Sequence, residues 1–171
     1  MGQIMNHAQM HMGYQMGGLE TMRGQELDRA FLSMMIPHHR AAVDMSREIL
    51  KTTRDARVRD WAEAIIAAQK AEISQMTTML KPYGEADPRK ASKMNRMMTG
   101  MVGEIRQARD KDAAFVKGMI PHHSSGIMMA NIALLKSSNP KVLALARDIV
   151  RTQAQEIYDF QMYLLDHTTR N

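Results

Sequence analysis

The sequence predicts an all-α protein, an antiparallel four-helix bundle assembled from two repeated helical hairpins. Three observations predict it. Apolar residues recur at spacings of three and four, no stretch alternates as a strand would, and the second half repeats the first at an offset of 84 residues.

The first hairpin spans residues 28–80. Phe31, Met35, His38, Ala42, Met45 and Ile49 mark one face of its first helix; Trp61, Ile65, Ala68, Glu72, Ile73, Met76 and Leu80 mark its second. The break between them falls at 52–55. A longer break at 81–88 gathers Pro and Gly, and residues 88–103 read as one short extra helix. The second hairpin spans residues 112–164 and turns at 136–140. Two such hairpins close as four antiparallel helices. The chain therefore divides into a Met/His-rich N-terminal segment, residues 1–22, and a bundle, residues 23–171.

The repeat needs no gap over 53 residues. Asp28 aligns with Asp112, Phe31 with Phe115, Met45 with Met129, Gln69 with Gln153 and Glu72 with Glu156. Its centre is the pentapeptide Met-Ile-Pro-His-His, present at 35–39 and again at 119–123. Each copy offers chemistry as well as packing. Met35, His38 and His39 stand at i, i+3 and i+4 of a helix, so one turn presents a thioether and two imidazoles; Met119, His122 and His123 repeat the set. Met45 and Met129 follow two turns after the first histidine of each pair on the same face. Pro37 and Pro121 are expected to kink their helices and release the carbonyls of Ser33 and Lys117. Soft sulfur with imidazole favours Cu(I), with Ag(I) as its redox-inert mimic. Glu72 and Glu156 suit hydrogen bonds to the imidazole N–H groups. An unperturbed histidine titrates near pH 6.5, so protons should compete with copper at these turns between about pH 7 and 5.

Two further segments are rich in methionine. Met5, His7, Met10, His11, Met12 and Met16 lie in an almost uncharged N-terminal tract that reads as a copper-capturing arm. Met94, Met97, Met98 and Met101 form a stripe at i, i+3, i+4 and i+7, suited to a core or to a thioether site; the 84-residue offset puts Met94 on Met10. With 19 methionines against 3 Phe, 4 Tyr and 1 Trp, gap-filling alone is a poor account of the whole set.

Composition removes several alternatives. There is no cysteine, hence no disulfide, thiolate site or Cys nucleophile, and thioether ligands suit an oxidising compartment. The net charge of +5 is spread among acids, as in Arg54, Asp55, Arg57, Arg59 and Asp60, so no nucleic-acid partner is expected. No apolar run reaches the ~20 residues that span a bilayer. The first residues lack a basic stretch followed by an apolar core, so no signal peptide is expected within this chain. A di-iron carboxylate bundle needs Glu-x-x-His, which is absent.

The doubled Met-x-Pro-His-His at 35–39 and 119–123, each followed by Gln-x-x-Glu (Gln69/Glu72, Gln153/Glu156), resembles the family known as domain of unknown function 305. The likeness covers about residues 23–166. It implies a duplicated ferritin-like four-helix bundle, export to the periplasm, and copper binding in a metal-handling or copper-tolerance role rather than catalysis. The expected function is an extracytoplasmic buffer or chaperone for Cu(I), with copper ions as cargo and a copper exporter or sensor as protein partner. The alternative is a structural or partner-binding bundle with no metal role and an adaptable methionine surface. An enzyme is not expected, because no proton donor or redox cofactor site is visible.

Overall fold

The structure is a computed structural model, and it describes residues 17–168. All its regular secondary structure among the described residues is helical. Four long helices carry the fold: α1 (Gly24–Leu50), α2 (Ala56–Leu80), α5 (Lys111–Lys136) and α6 (Pro140–Thr168). Two short ones, α3 (Pro88–Met98) and α4 (Met101–Gln107), connect the halves. The architecture is the four-helix bundle that the periodicity predicts.

Each hairpin starts its second helix the same way. Asp55 caps α2 by accepting from the backbone N–H of Arg57 at 2.8 Å. Asn139, its counterpart 84 residues on, accepts from Lys141 N–H at 3.0 Å at the start of α6. Such caps satisfy donors that the first turn leaves unpaired, and each contributes about 1 kcal/mol.

The hairpins join through α1 and α5, which are the central pair; α2 backs α1 and α6 backs α5. The two buried clusters give their relative direction. One joins the N-terminal half of α1 (Phe31, Met35) to the C-terminal half of α5 (Met129, Ala133). The other joins Met45 and Ile49 to Phe115 and Met119. The helices therefore cross antiparallel, with the paired histidines between the clusters.

One expectation changes. Residues 88–103 form parts of two helices, because Thr99 takes an extended conformation (ψ 134°) and Gly100 a left-handed one (φ 100°). A β-branched residue leaving the helix and a glycine free to turn end α3 sharply. The helices α1 and α5 continue on both sides of Pro37 and Pro121. The histidine layer uses a different carbonyl from the Ser33 and Lys117 groups that proline releases.

Candidate metal centre

Met35, His38, His39 and Met45 of α1 and Met119, His122, His123 and Met129 of α5 are all buried. The antiparallel crossing brings the two histidine pairs face to face: His38 and His122 stack with ring centroids 3.8 Å apart and an interplanar angle of 24°. His39 and His123 flank this stack at 6.2 Å from His38 and 5.8 Å from His122 respectively.

The outer rings are held alike. His39 Nε2–H donates to Glu72 Oε2 at 2.6 Å, and His123 Nε2–H donates to Glu156 Oε2 at 2.5 Å. The carboxylates are the only part of each pair near water, with side-chain exposures of 17% and 16% against 0% for both rings.

The inner rings are held differently. His122 Nε2–H donates to the backbone carbonyl of His38 at 2.9 Å. His38 Nε2 lies 2.9 Å from Ser125 Oγ, and that hydroxyl donates its one proton to His122 C=O at 2.8 Å. Ser125 Oγ must then accept, so His38 also carries its proton on Nε2. Residue 41, the counterpart of Ser125, is alanine, which explains why His122 turns to a carbonyl instead.

One consequence covers all four rings. Each has Nε2 engaged as a donor, and each has Nδ1 buried without a hydrogen-bond partner. In a neutral imidazole of that tautomer Nδ1 is a lone pair, and a buried lone pair left unpaired is costly. The two inner rings thus present buried acceptors with nothing to accept. A metal ion is a ligand of the right kind, and the carboxylate and carbonyl partners would fix the rings for it.

Burial keeps the inner rings neutral. The His38 pKa is pushed well below the ordinary histidine range, first by loss of solvent and then by the neighbouring His122, His39 and His123. His122 is lowered to about 3, again by burial first and by His123 second. This corrects the expectation of proton competition between pH 7 and 5: at His38 and His122 protons compete only further into acid.

The described residues contain no group of three His, Asp or Glu side chains able to hold a metal ion. The four methionines that accompany the histidines divide between the two buried clusters. Met35 lies in one cluster with Met129, and Met45 lies in the other with Met119. The methyl of Met45 is 3.2 Å from where a Cβ on Gly118 would stand, so its tip reaches α5 beside Met119. Each cluster draws buried methionines from both halves of the chain.

Met94 and Met98 are buried in the first cluster, with Met97 and Met101 half-buried against it. The break at Gly100 places Met101 on a separate helix, so the four do not form one continuous helical stripe. Met5, His7, Met10, His11, Met12 and Met16 lie outside the described residues.

Sequence reasoning overlooked Ser125 and Gly126 as parts of the layer. A Cβ at Gly126 would stand 2.7 Å from Gln153 Oε1 and 3.1 Å from His38 Cε1. The signal was present as departures from the repeat, Ala41 against Ser125 and Ala42 against Gly126.

The family model described as Domain of unknown function (DUF305) matches residues 1–80 and again 82–164. A protein of Acanthamoeba polyphaga mimivirus is 42% identical over 53 residues, and the match spans 31% of this chain and 35% of that protein. Among solved structures, CopM in its Cu(II)-bound form is 29% identical, with a TM-score of 0.74 over 81% of this chain and 96% of that one. CopM in its Cu(I)-bound form is 27% identical, with a TM-score of 0.68 over 81% and 96%. A DUF305 fragment from Deinococcus radiodurans is 28% identical, with a TM-score of 0.68 over 80% and 94%.

Proposed function

The chain belongs to the DUF305 family, and we propose that it binds Cu(I), with Ag(I) as mimic, through imidazole Nδ1 and thioether sulfur, acting outside the cytoplasm as a copper buffer or chaperone. The observation that carries this reading is the set of four buried, unpartnered Nδ1 atoms in a layer between two buried clusters that each contain methionine. Soft sulfur and neutral nitrogen at low coordination suit Cu(I) better than Zn(II) or Mg(II). The likeness to CopM, solved with Cu(II) and Cu(I), supports the same class of cargo.

The absence of cysteine fits an oxidising compartment, where thioethers keep binding and thiols are lost to disulfides. No helix among the described residues is long and apolar enough to cross a membrane. A carrier of this kind delivers its ion to a copper exporter or sensor and performs no catalysis.

Native mass spectrometry of the metal-free protein titrated anaerobically with Cu(I), Ag(I) and Zn(II) tests the reading. Discrete Cu(I) and Ag(I) adducts that Zn(II) does not displace are expected. Zinc competing on equal terms would show that the methionines only fill the core.

A further inference from the structure

The central helices α1 and α5 are equivalent in the repeat, yet among the described residues only α1 is covered on its outer side. The connecting helices α3 and α4 lie along α1. Pro37 is buried there, and Ala91 and Asn95 of α3 share a cleft with Ile36, Pro37 and Arg40. On α5 the counterpart Pro121 is exposed, and Ile120, Ser124, Ile127 and Met128 around it are half-buried.

The charges differ with the cover. Residues 34–50 of α1 include Arg40, Asp44, Arg47 and Glu48, whereas the equivalent residues 118–134 of α5 include no Asp, Glu, Lys or Arg. Ser124 stands at the place of Arg40, and Met128 at that of Asp44. A helix with no charged face is suited to being covered on every side.

The chain itself supplies a cover of matching kind. Both matches to the family model, at 1–80 and 82–164, start ahead of their hairpins, so the first residues correspond to the part that contains α3. The 84-residue offset sets residues 4–14 against α3 (Pro88–Met98), with Met10 on Met94. Where α3 carries Arg89, Lys90, Lys93 and Arg96, residues 1–19 carry no Asp, Glu, Lys or Arg. Both members of the second pairing thus lack the charges that their counterparts carry in the first. The chain also enters the fold in the right place. The turn Leu19–Thr21 touches α5, Leu19 is buried in the cluster that contains Ala133, and Lys136 reaches the carbonyl of Glu20.

We propose that the outer side of α5, at Ile120, Pro121, Ser124 and Met128, is the docking surface for residues 4–14 of the same chain, in the place that α3 takes on α1. Residues 4–14 lie outside the described ones; the repeat, the shared absence of charge and the entry at Leu19 point to this site. Two uncharged surfaces pack together without leaving an ion unpaired. The contact needs no metal, so it stands or falls apart from the copper reading.

The test uses the metal-free full chain, labelled with ¹³C at the methionine methyls and the isoleucine δ1 methyls. Nuclear Overhauser contacts from Met5, Met10 or Met12 to Ile120, Ile127 or Met128 are expected within one molecule. M128D gives α5 the carboxylate that α1 has at Asp44 and sets a charge under the docked residues. It should speed hydrogen exchange of residues 4–14 about ten-fold, while M162D on the exposed side of α6 leaves that exchange unchanged. Absence of those contacts would overturn the proposal. So would contacts found only between differently labelled copies in a mixed sample, which would give the surface to a second molecule. Exchange no faster in M128D than in M162D would overturn it as well. The NMR arm needs no variant, so it decides the matter even if M128D folds badly.

Discussion

His38 and His122, the first histidines of the two repeats, stack on each other at 3.8 Å, yet their Nε2 atoms have different partners. His38 meets the hydroxyl of Ser125, and His122 meets the carbonyl of His38. The layer is symmetric in its rings and asymmetric in what holds them.

Ser125→Ala should expose that asymmetry. It leaves a buried N–H on His38 unpaired, at a cost of about 1–3 kcal/mol in urea denaturation. It also removes the group that fixes the His38 tautomer, so ¹⁵N spectra should show His38 with proton on both nitrogens in exchange and His122 unchanged. An unaltered His38 spectrum would contradict the assignment.

Glu72→Ala and Glu156→Ala should have matching effects, because each carboxylate orients one outer ring at 2.5–2.6 Å. Losing such a support lowers metal affinity about 10–100-fold in other metal sites. Anaerobic Cu(I) competition titration of each variant measures it. Unchanged affinity in both would make the carboxylates surface residues only.

The division of the methionines between two clusters makes a sharp contrast between double variants. If Met35 works with Met129 and Met45 with Met119, then M35L/M129L damages one flank and spares the other. M35L/M119L instead takes one sulfur from each flank. Leucine for methionine conserves volume, with stability costs under about 1.5 kcal/mol. Ag(I) stoichiometry by native mass spectrometry should fall by a whole site in the first variant and show two weakened sites in the second. Identical titrations would mean the pairing is irrelevant to binding.

Stability should fall in mild acid. Free histidine titrates near 6.5, whereas His38 is held well below that and His122 down to about 3. Below pH 6.5 the unfolded chain therefore takes up protons that the folded chain refuses. The stability from these neutral rings is whole above about pH 6.5 and is lost as pH falls toward 3. At His122 the loss is about 2 kcal/mol by pH 5. Denaturation midpoints at pH 7, 6 and 5 should decline in order; a flat profile would mean the rings are solvated.

Much of this was legible in the sequence. Three-and-four spacing gave the long helices, and the constant offset gave the equivalence of His39–Glu72 and His123–Glu156. The polar breaks marked the turns that Asp55 and Asn139 cap. Other features were hidden for definite reasons. A repeat shows which residues are equivalent but says nothing of how two copies cross, so spacing alone puts Met35 with Met45. Helix spacing also continues on paper through Thr99–Gly100, where backbone conformation ends the helix. Burial, which sets the His122 titration, depends on the facing helix that carries His38 and His39 as well as on its own.

Ser125 and Ala41 carry a last consequence, for descent. Two separate identical hairpins meeting about a two-fold axis must present the same residue at both places. Only after both copies share one polypeptide can one keep alanine while the other acquires a hydroxyl. The difference at 41 and 125 is thus a form of division of labour open to a fused chain and closed to a dimer of hairpins, and it gives the two inner histidines separate identities.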